Sequence, residues 1–320
     1  MSMDLFKGSG YSGPGKKHGG LPRRNRIIEK NYFFINSDQL PNIDLRETAA
    51  GGAVKTYFGK LLLTVTALQD LFLGSGEIKE CNKRLYDDFS YLKKEAGHPV
   101  KTFNLPGSSM KGCILTNLYL FLNECSTGFF SPSTKKNSDD MAKVFFSDFP
   151  IVNVSESKPQ TIPGRFKPQI LPPERTRLKM YRKDDRAYGN LTPDELRKLQ
   201  AKENILTVKK GSRFRGFINF KLLSLHELLF LLLSLGCFKD HHFYFKVGGA
   251  KNRGMGVVKM ELDMDKSYYA NEFKELSLRK QRRFRELEPG LISELAQLKQ
   301  RYSRIHNAVK IMQDEYGGAS

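Results

Sequence analysis

The chain has 320 residues, 39% of them hydrophobic, enough to bury a sizeable core in one large or two small domains. Lys and Arg number 53 against 34 Asp and Glu, a formal net charge of +19. That composition excludes a collagen-like chain and a purely disordered tail, and no tandem repeat is present.

In chain order, residues 1–25 are rich in Gly, Lys and Arg without periodicity, as expected of a mobile arm that orders on a partner. The arm is taken to extend to residue 50. FGKLLLTVTA at 58–67 clusters bulky and β-branched residues and predicts a strand. A glycine turn follows at 73–77, then a polar, hairpin-like excursion over 78–105. Pro106-Gly107-Ser108-Ser109 opens a helix expected to run to about Glu124, with Ser108 or Ser109 as N-cap. Met110, Cys113, Ile114, Asn117, Leu118 and Phe121 recur in it at helical spacing.

AKVFFSDFPIVNV at 142–154 predicts a second strand and closes a first half that spans 51–154. Residues 155–212 contain Pro159, Pro163, Pro168, Pro172 and Pro173 and a helix start at Thr192-Pro193-Asp194-Glu195, the profile of a long basic insertion. FRGFINFKL at 214–222 alternates as a third strand. SLHELLFLLLSL at 224–235 is an apolar helix capped by Ser224 with Glu227 three residues on, and Gly236 stops it. Residues 242–247 and 255–264 are strand-like and flank the loop GGAKNRGMG at 248–256, which completes a second half over 213–264. The tail, 265–320, predicts two amphipathic helices with a break at Pro289-Gly290. Without the excursions the order is β-α-β, β-α-β. The expected class is therefore α+β, a ferredoxin-like (RRM-like) split βαβ core whose open sheet face can meet RNA.

The charge is unevenly placed. Residues 1–30 carry seven basic and two acidic side chains, 31–154 carry thirteen of each, and 155–215 carry sixteen basic and seven acidic. Clustering of this kind is the electrostatic footprint of a polyanion binder, against the plainer alternative of a merely basic surface. No apolar run reaches the roughly 20 residues a bilayer span needs, and no signal peptide is visible, so the expected location is cytoplasmic, away from membranes. Cys81, Cys113, Cys125 and Cys237 show no CxxC spacing and suit a reducing compartment. Cys113 and Cys125 fall in an apolar helical pattern and read as small buried hydrophobes. The six histidines form no metal-ligand motif.

Two segments could hold anions. In GGAKNRGMG, glycines let the backbone approach a phosphate, and Gly248, Gly249, Lys251, Asn252 and Arg253 are candidate contacts. The loop leads into a strand and lacks GxxxxGK[ST], so it is no P-loop, and the alternative is an ordinary glycine hairpin. In PGSSMKG, the helix start leaves N–H donors free at Gly107, Ser108 and Ser109, with Lys111 in the first turn. The alternative there is simple N-capping. Arg213 and Arg215 on the third strand are further candidate RNA contacts.

The succession LFLGSGE, LPGSSMKG, KVFFSDF, GSRFRGFINF and GGAKNRGMGVV resembles the RAMP superfamily of CRISPR proteins, over about residues 58–264. It is most similar to the backbone and capping subunits of type III effector complexes, where IGSGE, IPGSSLKG, FSDA and a late GGGKSRGLG loop occur in that order. Cys113-Ile114-Leu115 and Phe149 depart from that pattern. The resemblance implies a guide RNA (crRNA) held along a filament of related subunits that targets complementary foreign RNA. It implies a backbone grip by Gly107, Ser108, Ser109 and Lys111, further contacts from the glycine loop, and a projecting role for 155–215. Recognition by backbone suits a guide whose sequence varies.

In the repeating subunits of that family a loop Asp cuts target RNA with a divalent metal. The corresponding stretch here is CNKRLYDDF at 81–89, with Asp88, and Asp87 beside it, as candidates that would use Mg²⁺. The alternative is a solvated Asp-Asp turn, as in a capping subunit that grips without cutting. Asp148 is expected to be structural. Two other classes remain: a guide-processing endoribonuclease of the same superfamily, in which His98 would matter, and a generic RNA-binding protein with an RRM-like core. The aromatic RRM signature is found on no strand, which weighs against the latter.

Overall fold

The computed structural model describes residues 32–41, 43, 55–81, 84–89, 91–92, 102–122, 142–153, 157–162, 177–183, 203–278 and 280–317. The arm at 1–25, the helix expected after Thr192, His98 and Cys125 lie outside them. In chain order the elements are β1 (Tyr32–Asn36), β2 (Tyr57–Ala67), β3 (Gly74–Cys81), β4 (Arg84–Phe89), β5 (Tyr91–Leu92), β6 (Thr102–Leu105), α1 (Gly107–Leu118), β7 (Val144–Phe146) and β8 (Phe149–Asn153). They continue with β9 (Ser157–Ile162), β10 (Arg177–Tyr181), β11 (Glu203–Val208), β12 (Arg213–Leu223), α2 (Leu225–Ser234), β13 (Phe245–Lys246) and β14 (Val257–Leu262). The chain closes with β15 (Tyr268–Ala270), α3 (Phe273–Ser277), β16 (Arg282–Arg283), α4 (Glu288–Arg301) and α5 (Ile305–Tyr316).

The fold is α+β. Its largest sheet runs β13-β14-β2-β12-β8-β6-β5, with β15 beside β2 and β7 beside β12. β2 alternates buried and part-exposed residues along all 11 positions, so one face of the sheet is dry. Leu61, Leu63 and Val65 of β2, Phe214 and Ile218 of β12 and Met260 of β14 make that face. Register fixes them as neighbours: Val65 pairs with both Phe214 and Met260, and Leu61 with Ile218. Met110, Ile114 and Leu118 of α1 and the run Leu228–Leu233 of α2 bury against it. α2 lies between α1 and α4, and after its first turn every residue from Leu228 to Ser234 is buried. The Asn117 amide donates to the Ser234 carbonyl at 3.0 Å and ties α1 to α2. α4 and α5 complete the layer with Leu291, Leu295, Leu298, Val309 and Met312.

A second sheet, β3-β4-β11-β9, joins the 78–105 excursion to the 155–212 insertion, with β4 and β11 parallel. β1 and β10 form a separate antiparallel pair, so the region read as arm contributes a strand at Tyr32–Asn36.

Several expectations are corrected. The single strand at 142–154 is two strands broken at Ser147-Asp148. Ser147 exchanges bonds with Phe217 there: its N–H donates to the Phe217 carbonyl at 2.9 Å, and its hydroxyl accepts from Phe217 N–H at 2.8 Å. The helix expected to reach Glu124 ends at Leu118, with Tyr119 as C-cap. Neither Ser108 nor Ser109 caps it. Both lie inside the first turn, Pro106 holds the N-cap position, and Asp148 supplies the acceptor. Pro289-Gly290 starts α4 rather than breaking the tail, because proline in a first turn sacrifices no helical hydrogen bond. The break falls at Tyr302. The capping box of α2 forms as expected, with Ser224 N–H donating to Glu227 Oε2 at 2.8 Å and Glu227 N–H to Ser224 Oγ at 3.2 Å.

Candidate nucleic-acid interface

The start of α1 is tightly built. A Cβ on Gly107 would lie 2.6 Å from the Ser147 carbonyl oxygen and 2.7 Å from that of Phe146, so only glycine fits. Gly107 N–H donates to Asp148 Oδ1 at 2.8 Å, and the N–H groups of Ser109 and Met110 donate to the Pro106 carbonyl at 3.0 and 3.1 Å. A carboxylate thus already sits at the positive end of this helix. Ser108 is exposed, Ser109 and Lys111 are half-buried, and a Cβ on Gly112 would meet open space.

The glycine loop closes back on the segment after β2. Gly249 N–H donates to the Phe72 carbonyl at 2.8 Å and Gly256 N–H to that of Asp70 at 3.0 Å. Gly248 has φ of +87° and its Cα faces the Phe72 carbonyl, so any side chain would collide there. The LFLGSGE and GGAKNRGMG segments are therefore two sides of one junction. Between Ala250 and Gly254, both left-handed, Lys251-Asn252-Arg253 make one 3-10 turn. Lys251 Nζ donates to Cys113 Sγ at 3.4 Å, the Cys113 thiol donates to the Lys246 carbonyl at 3.6 Å, and Lys246 Nζ donates to the Lys251 carbonyl at 2.7 Å. The structure thus brings the glycine loop against the second turn of α1. The side chain of Asn252 lies outside the described residues. Arg253 is buried rather than presented to solvent.

The opposite, open face of the main sheet is basic and aromatic. Arg213 pairs in register with Thr66, which pairs with Lys259. Arg215 pairs with Thr64, which pairs with Glu261. Both arginines are exposed. Further along, Lys60 Nζ lies 4.1 Å from the centroid of the Phe217 ring, and Lys221 Nζ lies 5.2 Å from that of Phe145. Glu261 is balanced by Lys259 at 2.9 Å, a bond that raises the Lys259 ammonium above its ordinary pKa. Sequence reasoning found the two arginines and missed the Lys60–Phe217 and Lys221–Phe145 pairs. Their signal was present: Lys60 and Phe217 occupy polar-side positions of alternating strands.

Asp88 is no loop residue and no solvated turn. It lies within β4, fully buried, and forms an ion pair with Lys79 of β3. The Asp87 side chain lies outside the described residues; its backbone pairs with Ile78 and Ile205. A Mg²⁺ ion needs accessible carboxylate oxygens and room for several waters. A buried carboxylate already held by an ammonium does not fit that need. Among the described residues no group of three or more His, Cys, Asp or Glu is arranged to hold a metal. None of their helices is long and apolar enough to cross a membrane.

No family model matches the sequence, and no curated protein matches it. Among solved structures, the chain is similar to a chain in the cryo-EM structure of the type III-B Cmr-β bound to cognate target RNA, with 14% identity and a TM-score of 0.39. The match covers 64% of this chain and 59% of that one.

Proposed function

We propose that this chain is a structural subunit that binds the guide RNA of a type III CRISPR ribonucleoprotein, and that it holds the strand by its backbone. The observation that carries the RNA-binding part is the open sheet face. There Arg213 and Arg215 stand exposed beside the lysine-capped rings of Phe217 and Phe145. Cations take phosphates, and the exposed ring of Phe145 can take a base of any sequence, the combination that single-strand binders use. The core is read as ferredoxin-like, with β2, α1, β7–β8, β12, α2 and β14 as its six elements. Supporting this, the fourth of its strands, β14, lies beside the first, β2, and the third, β12, lies between the first and the second. The CRISPR assignment rests on the ordered motifs. The Lys251–Cys113 contact sets the glycine loop beside the residue that follows PGSSMKG.

The complementary target RNA and neighbouring subunits of the complex are the remaining partners in this reading. No catalytic role is proposed for Asp87 or Asp88. The test is purification of the tagged full chain with its endogenous RNA, followed by sequencing. A uniform pool of repeat-spacer guides is the expected result, and a mixed cellular pool overturns the CRISPR assignment.

A further inference from the structure

The edge of the main sheet opens beside the basic face. β13 pairs with β14 only from Phe245 and Lys246 to Val258 and Val257. Just before Phe245 the chain turns away: Tyr244 N–H donates to the Gly317 carbonyl at 3.1 Å, and Gln313 Nε2 donates to the His242 carbonyl at 2.7 Å. The C-terminal end of α5 thus pulls residues 242–244 off the ladder. Lys259–Leu262 are left, on that side, facing a cavity of about 330 Å³. Gly236, Cys237, His242 and Tyr244 form its other wall.

We propose that this cavity receives one nucleobase, preferentially guanine, from the RNA strand that crosses the open face; the inference rests on the RNA-binding reading above. Three observations carry it. Lys259 and Glu261 line the cavity and stand in register with Thr66–Arg213 and Thr64–Arg215, so the cavity mouth adjoins the phosphate-binding rows. The volume lies at the lower end of small-ligand sites, roughly 300–1,000 Å³, so it suits one base rather than a stacked run. The lining supplies the chemistry a base needs. Tyr244 and His242 offer rings, and burial keeps the His242 imidazole below its ordinary pKa and so neutral at pH 7.

The Lys259–Glu261 pair selects the base. Its ammonium and carboxylate lie side by side, 2.9 Å apart. Guanine alone presents an acceptor, O6, next to two parallel donors, N1–H and the N2 amino group. A carboxylate accepts both donors and the ammonium serves O6. Adenine and cytosine place a ring acceptor where guanine has N1–H, and uracil offers one donor between two acceptors. Each therefore leaves a charged group poorly matched.

The test measures binding of the full chain to a 15-nucleotide oligouridine and to versions with a single central G, A or C. Wild type is expected to bind the G version about tenfold tighter than the others. The ratio of G to U affinity should fall toward one in both Glu261→Gln and Tyr244→Ala. If Tyr244→Ala does not fold, Glu261→Gln alone decides. Equal binding of the four RNAs by wild type overturns the base pocket and leaves the RNA-binding reading standing. A G preference that survives Glu261→Gln also overturns the pocket. Failure to bind any of the four RNAs overturns the broader reading, and the pocket with it.

Discussion

The two faces of one sheet divide the work of this molecule. Along β12 the side chains alternate, and neighbours one residue apart have opposite fates. Phe214 is sealed beneath the helices while Arg213 and Arg215 stand in solvent. The dry face holds the fold through burial, roughly 1.5–3 kcal/mol per large side chain. The wet face contributes little to stability and is free to carry charge. Basic residues can therefore accumulate there without cost to the core.

The largest expected effect comes from the dry face. Phe214→Ala should cost about 3–5 kcal/mol in denaturant melts, because it empties a fully buried site. Little loss would show that the face is loosely packed. Next is acid. Burial, with Lys299 as the next cause and His306 and His242 adding to it against Asp240, pushes the buried His241 from 6.5 down to about 4. The unfolded chain takes that proton more readily, so stability is full above pH 6.5 and falls between pH 6.5 and 4. The loss is up to about 3 kcal/mol. His241→Gln should flatten the stability profile across that window, and an unchanged profile would remove His241 as its source.

Asp88→Ala removes the carboxylate that pairs with Lys79 and leaves a buried hole, and should cost about 2 kcal/mol. If melting is unaffected, the ion pair is not formed in solution. Asp148→Ala removes the acceptor at the head of α1, and a loss of about 1 kcal/mol is expected, similar to Ser224→Ala at the head of α2. Smallest in stability is the wet face. Arg213→Ala with Arg215→Ala should stay within about 0.5 kcal/mol of wild type. Binding tells the other side: each lost phosphate contact should flatten the salt dependence of RNA affinity by about 0.7 log units per log salt. An arginine pair that destabilises the fold and leaves the slope alone would reverse the division of the two faces.

The same contrast sets how much the sequence revealed. β2, β12 and α2 were legible because their causes are local. β2 and β12 alternate with period two, and α2 carries its own cap in Ser224 and Glu227. α1 was harder. Its helical spacing was plain, yet its N-terminal acceptor comes from Asp148, far along the chain, and no nearby residue announces that. The Ser-Ser pair looked like the cap and is not. The strands of the insertion were missed for a related reason. β9 and β11 are short, β9 carries Pro159, and β11 is completed by β4 from a distant segment. Asp88 was misread because nothing in Asp-Asp alone says that Lys79 waits across a hairpin. Of the candidate site, the two exposed arginines and the two loops were visible. The sequence offered a glycine hairpin and simple N-capping as the alternatives; that Gly248 packs on Phe72 and Gly107 on Ser147 took the structure to see.

The parallel pairing of β4 with β11 bears on how the chain is made. β3 and β4 leave the ribosome early, while β11 follows much later. At ~5–20 residues per second, the β3–β4 hairpin waits on the order of ten seconds for the strand that covers its edge. During that interval an unpaired strand edge is open to any passing extended chain. Lys79 and Asp88 lie on the two strands of that same hairpin, so their charges can be matched before β11 arrives. An ion pair contained within the hairpin can thus help to hold its register until the distant strand emerges.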